Sequence, residues 1–173
     1  MDRGTPIIES IPDAVVRHAG LVMMQLASIA SNLEDGALVC PFAVVTKGTD
    51  RQSIAFESET QDEAVAKGWA SLEQWKSNID LWALAREGLV KSPRGKDDVL
   101  LVAAWTFGMA EPAMFTQRYE RTERGFRLPG PVAVDNLAPS AIKEIGEAFA
   151  AGIDEHPNAH FWNEWKACSD EIA

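Results

Sequence analysis

Of 173 residues only two are cysteine, three histidine and one tyrosine, and basic residues are scarce beside acidic ones, 16 against 26. Cys40 and Cys168 lie far apart and form no Cys-x-x-Cys pair, which excludes a disulfide framework; they read as reduced thiols acting as small buried hydrophobes. The net charge of −10 argues against nonspecific attraction to nucleic acid or to an anionic membrane. Long apolar runs are also missing. The longest nearly uncharged one, Val99 to Ala110, is far short of the roughly 20 residues of a spanning helix. Met1-Asp2-Arg3-Gly4-Thr5-Pro6 is not a secretory start. No phosphate loop, nucleophile elbow or dinucleotide fingerprint occurs, so no cofactor is called for. These absences point to one cytoplasmic domain over residues 1–173.

The apolar share of 46% and charged share of 24% are those of a folded globular chain. A first helix is expected from Ser10-Ile11-Pro12-Asp13, with Ser10 as its cap. Val15, Ala19, Val22, Leu26, Ile29 and Leu33 form its apolar stripe and Asp35-Gly36 its stop. The spacing suits packing on the protein's own sheet and, alternatively, a helical seam between two copies. Ala37 to Val45 reads as a strand that Pro41 pushes toward an edge or a bulge, with Gln52 to Glu57 returning after Lys47-Gly48-Thr49-Asp50. Thr60-x-x-Glu63 is a capping box, and Val65, Trp69, Leu72, Trp75 and Ile79 follow at helical spacing.

Leu81 to Val90 reads as a strand, because Ser77-Asn78-x-Asp80 stops the helix and Ser92-Pro93-Arg94-Gly95-Lys96 makes a hairpin loop to Val99–Phe107. Val99 to Trp105 is apolar on both faces and should be central. Met114 to Arg121 alternates, and Thr122-Glu123-Arg124-Gly125 turns it toward Phe126–Leu128. Pro139 opens a helix carrying Ile142, Ile145, Phe149 and Ile153, and Pro157 a last one with Phe161, Trp162 and Trp165. The expected fold is α+β, with a five- to six-stranded antiparallel sheet, hairpin plus meander, packed with three to four helices.

Residues 135–173 hold eight acids and only Lys143 and Lys166, whereas 60–134 hold ten of each sign. In this acidic end Phe161, Trp162 and Trp165 form an aromatic group beside Asp154, Glu155 and Glu164. Aromatic anchors rimmed by charge are common at protein-recognition surfaces. The preferred expectation is therefore a non-enzymatic acidic interaction protein, an inhibitor, immunity-like or accessory subunit, monomeric or homodimeric, binding a protein partner, with a basic one favoured by the acidity. The alternatives are a small metal-dependent hydrolase using His156, His160 and Glu164, and a homo-oligomeric subunit built on the Val15–Leu33 stripe. His156, His160 and Glu164 are four residues apart and would stack on one helix face. Pro157, however, puts His156 at or outside the helix start. Two groups are left without a role: Arg86-Glu87 inside an apolar strand, and Arg118, Arg121, Arg124 and Arg127 interleaved with Tyr119 and Phe126. The arginine cluster suits either single-stranded nucleic acid or, more economically, charges that blunt an edge strand.

Overall fold

The computed structural model describes residues 8, 10–34, 37–93 and 95–170; the side chains of 92 and 168–170 lie outside that description. Helix α1 (Asp13–Ser31) is followed by the hairpin β1 (Phe42–Lys47) and β2 (Asp50–Ala55), then α2 (Gln61–Trp75). The long hairpin β3 (Leu81–Ser92) and β4 (Gly95–Thr106) leads to β5 (Ala113–Arg118). A small ribbon of β6 (Glu120–Thr122) and β7 (Gly125–Arg127) precedes β8 (Ala133–Val134). A 3-10 turn, Pro139–Ala141, then opens α3 (Ile142–Asp154), and α4 (Ala159–Asp170) ends the described chain. Six strands form one sheet in the order β2-β1-β3-β4-β5-β8, every neighbouring pair antiparallel, as the α+β reading expects.

Alternation splits the sheet into two faces. Phe42, Val44, Ala83, Ala85, Leu100, Val102, Ala104 and Phe115 point to one side, where α1, α3 and Trp162 of α4 complete the larger core. Ala43, Val45, Leu84, Ala103, Trp82 and Trp105 point to the other, under α2 with Leu72 and Phe56. Trp82 stacks on Trp105 at 6.1 Å and meets Trp69 edge-on at 5.6 Å. The central β4 is apolar on both faces because both are covered, but unevenly: Leu100 is fully buried while Leu101 is only half-buried.

Helix α1 lies between the sheet and α3, touching β3, β4 and α3. Its stripe is spent inside the protein: Val15, Ala19, Val22 and Leu26 have no exposed surface, and only Ile29, 37% exposed, looks out. The seam between two copies is therefore already occupied by the chain itself. Among the described residues α1 is also the one helix long and apolar enough to cross a membrane, longer than the apolar run Val99–Ala110; 67% of that window is buried against the protein. On its outer side α1 approaches α3 closely. A Cβ on Gly20 would stand 2.2 Å from the Phe149 carbonyl oxygen, and one on Gly152 1.9 Å from that of Arg17. Two glycines thus let α1 and α3 meet backbone to backbone.

Several local expectations are corrected. Ser10 does not cap α1: the N-cap position is Pro12, which offers no side-chain acceptor, and Asp13 pairs with Arg17 instead (3.1 Å). The helix is closed by Asn32, and the expected stop at Asp35-Gly36 lies outside the described residues. The first strand begins at Phe42 rather than Ala37, because Pro41 cannot donate to a ladder, and it is internal; β2 is the edge. Cys40, just before it, is exposed rather than buried, and the Cys168 side chain is not described. The strand expected over Met114–Arg121 breaks at Tyr119, so β6 pairs with β7 in a separate ribbon. Two readings hold, the first by half. Thr60 Oγ1 accepts from Glu63 N (3.1 Å) at the start of α2, while the Glu63 carboxylate accepts from Ser58 Oγ (3.0 Å). The start of β3 is pinned by Asp80, whose carboxylate accepts from Gly48 N (2.7 Å) and whose carbonyl accepts from Thr106 Oγ1 (2.7 Å).

A candidate binding groove between β8, α3 and α4

The outer end of the sheet, where only the two-residue β8 covers β5, leaves a groove of about 570 Å³. Its size lies within the range of small-molecule sites. Helix α3 forms one wall because Ile145, Phe149 and Ile153 recur every four residues and face inward. Phe149 stacks on Phe115 of β5 at 5.5 Å and meets Trp162 of α4 at 6.3 Å, so three elements share the floor. Pro131 to Val134 and Leu137 close the opposite side. Gly146 also lines the groove, with no heavy atom within 4 Å of where its Cβ would be. Ile142, at the start of the same helix, stands at the rim and is 59% exposed.

One end is polar. Gln117, fully buried on β5, donates from Nε2 to the carbonyl oxygens of Pro129 (3.1 Å) and Gly130 (3.3 Å). Its Oε1 accepts from Lys166 Nζ at 2.6 Å, and the same ammonium donates to Gly130 O. Gly130 adopts φ +75°, a left-handed turn between two prolines that suits glycine. Lys166 also sits one helical turn after Trp162 with its ammonium 5.5 Å from that ring. Among the described residues Lys166 is the charged one lining the groove.

The aromatic group foreseen at the acidic end divides between two faces of α4. Trp162 turns inward and is only 7% exposed, so it serves the floor of the groove. Phe161 is 39% exposed and stacks on Trp165 at 5.8 Å, which in turn meets Phe126 edge-on at 4.9 Å. Asp154 and Glu155 are exposed at the end of α3, and Glu164 is exposed on α4. His156 lies in the turn between the helices, where its Nδ1 accepts from Asn158 N (3.0 Å) and partial burial lowers its pKa. His160 stands against Phe161 at 4.2 Å. Among the described residues no three His, Cys, Asp or Glu side chains come together to hold a metal ion, so His156, His160 and Glu164 do not form the centre their spacing allowed.

Two other polar clusters sit in the larger core. Glu87, 4% exposed, points from β3 toward α1; its Oε2 accepts from Val39 N (3.2 Å) and its Oε1 from Arg121 Nη2 (3.3 Å). Arg121 also donates to Ala30 O at the end of α1 (2.9 Å) and lies over the Tyr119 ring at 5.1 Å. Burial, then the neighbouring Glu87 charge, raises the Tyr119 pKa. Glu87 and part of the arginine cluster thus form one staple between a helix C-terminus, the sheet and the ribbon, while Arg86 donates from Nε to the Glu87 carbonyl oxygen (3.1 Å). Arg118 pairs with Asp97 at 3.5 Å and Arg127 is buried, so the four arginines share no single face. The second cluster is His18, buried on α1 with Nε2 2.9 Å from Val44 O; burial lowers its pKa.

No family model, no curated protein and no solved structure matches this chain. The sequence reading missed Phe115, Gln117 and Gly130 as site residues, and Lys166 stood out only as an exception in an acidic segment.

Proposed function

We propose that this is a non-enzymatic binding protein that holds an apolar guest in the groove between β8, α3 and α4. The observation that carries the reading is a groove of about 570 Å³ lined by Phe115, Ile145, Phe149, Ile153 and Trp162, with Lys166 on its wall hydrogen-bonded to Gln117. Binding sites are built this way: apolar walls supply affinity and a few polar groups supply orientation. The test uses N-phenyl-1-naphthylamine, an uncharged apolar fluorophore. It should bind one to one, and Gly146→Leu should abolish binding while leaving the circular dichroism spectrum intact, because the added side chain enters open space. Absence of binding, or binding unaffected by Gly146→Leu, defeats the reading.

A second reading keeps a basic protein partner, favoured by Phe161 exposed beside the carboxylate of Glu164. Such a partner should associate more slowly with added salt, since attraction is screened within about 10 Å at 0.1 M. Phe161→Ala should then speed its dissociation. Cutting the chain at Asp154 is no test of this reading, because it removes the buried Trp162 as well.

A further inference from the structure

We propose a second site, across the sheet from the groove: a corner of three tryptophans that takes the trimethylammonium group of a choline-like cation. Three of the six tryptophans meet there. Trp82 and Trp105 stand directly opposite each other on β3 and β4, so alternation sends both rings to the α2 side, where they stack at 6.1 Å. Trp69 comes from α2 and meets Trp82 at 5.6 Å, with the ring planes 84° apart. Two nearly parallel rings and one at right angles to them line a pocket of about 130 Å³. That is room for a head group, well below the roughly 300–1,000 Å³ of a site for a whole drug-sized molecule. Trp105 is held in place by its Nε1, which donates to Met109 O (2.8 Å), so this wall is organised before a guest arrives.

Charge chooses the guest. Indole faces carry negative potential and attract cations, quaternary ammonium groups above all. Glu73, one helical turn after Trp69, lines the same pocket and adds a carboxylate at its lip. Lys76 also stands at the lip and pairs with Glu73 at 2.9 Å, but both side chains are more than half exposed, so this pair opens at little cost. Among the described residues the cations that lie over aromatic rings are Arg121 at Tyr119 and Lys166 at Trp162, both elsewhere in the molecule. A quaternary ammonium has no N–H to leave unpaired against apolar walls, which favours it over a primary amine.

The test titrates choline into the isotope-labelled protein and follows the tryptophan indole N–H resonances. Choline should shift the Trp69, Trp82 and Trp105 signals together and bind about tenfold tighter than 3,3-dimethylbutanol, its uncharged carbon isostere, the range of a desolvated cation–π contact. Glu73→Gln should weaken choline about twofold to fivefold, as loss of an exposed charge pair does, and leave the alcohol unchanged. Trp69→Leu should weaken choline about fivefold or more while the circular dichroism spectrum stays intact. If Trp69→Leu fails to fold, the isostere comparison and Glu73→Gln still decide. A short peptide carrying trimethyllysine, tested beside choline, presents the same group on a side chain, and the tighter of the two names its source. Equal binding of choline and the alcohol overturns the cation site, as does the absence of any choline-dependent shift in the three indole signals. Either result leaves the groove reading standing, because the groove and the tryptophan corner belong to opposite faces of the sheet.

Discussion

Substituting alanine at two glycines of α3 should move stability in opposite directions. At Gly152 a Cβ would fall 1.9 Å from Arg17 O, 2.8 Å from its carbonyl carbon and 3.0 Å from its Cα. All three are backbone atoms of α1, so no rotamer change relieves the clash; the helices must part by about 1 Å, and a gap of that order forfeits a quarter to a half of the dispersion well. Ile145, Ala148, Phe149 and Ile153 all pack from α3 into the core and would feel it. Overpacking of this kind costs about 1–3 kcal/mol or more, against a gain in helix propensity of about 0.5–1 kcal/mol. Gly152→Ala should therefore lose about 1–2 kcal/mol net, lowering a urea midpoint by about 0.5–1 M at a slope of about 2 kcal/mol per molar. Gly146→Ala meets no atom within 4 Å and keeps only the propensity gain. Equilibrium urea unfolding of both variants beside the parent is the assay. A Gly152→Ala midpoint equal to or above that of Gly146→Ala would refute the backbone-to-backbone contact.

Leu100→Ala should cost about 2–5 kcal/mol by leaving a cavity beneath α1, and Leu101→Ala clearly less, since its side chain is only half-buried; equal denaturant midpoints would reverse the assignment of faces. His18 has a lowered pKa from burial, so the unfolded chain takes up its proton first; stability is full above about pH 6.5 and falls as pH drops below it, by at most about 1.4 kcal/mol per pH unit. His18→Gln should flatten most of that slope between pH 7 and 5, and an unchanged slope would remove His18 as its source. Arg121→Met leaves Glu87 charged and buried without its ion-pair partner and should cost about 3–5 kcal/mol; the double change Arg121→Met with Glu87→Leu should recover much of it, which calorimetric melting would show.

The order of helices and strands was legible in the sequence because its signals are local. The Thr60–Glu63 cap, the stop before Leu81, the hairpin at Pro93 and the two-faced apolar run of β4 each act within a few residues, and each appears in the fold. The acid excess after residue 134 was equally plain. Which face each side chain serves depended on partners far along the chain. The α1 stripe is buried by the sheet and α3, and Glu87 finds Arg121 34 residues on. Trp162 is turned inward by Phe149, and Phe161 outward by the helix period. The groove draws on β5, the segment around β8, α3 and α4, none of which carries its signature alone. Periodicity says that a residue has an apolar neighbour; only tertiary packing, where nonlocal contacts compensate the entropy of closing long loops, decides which neighbour it is.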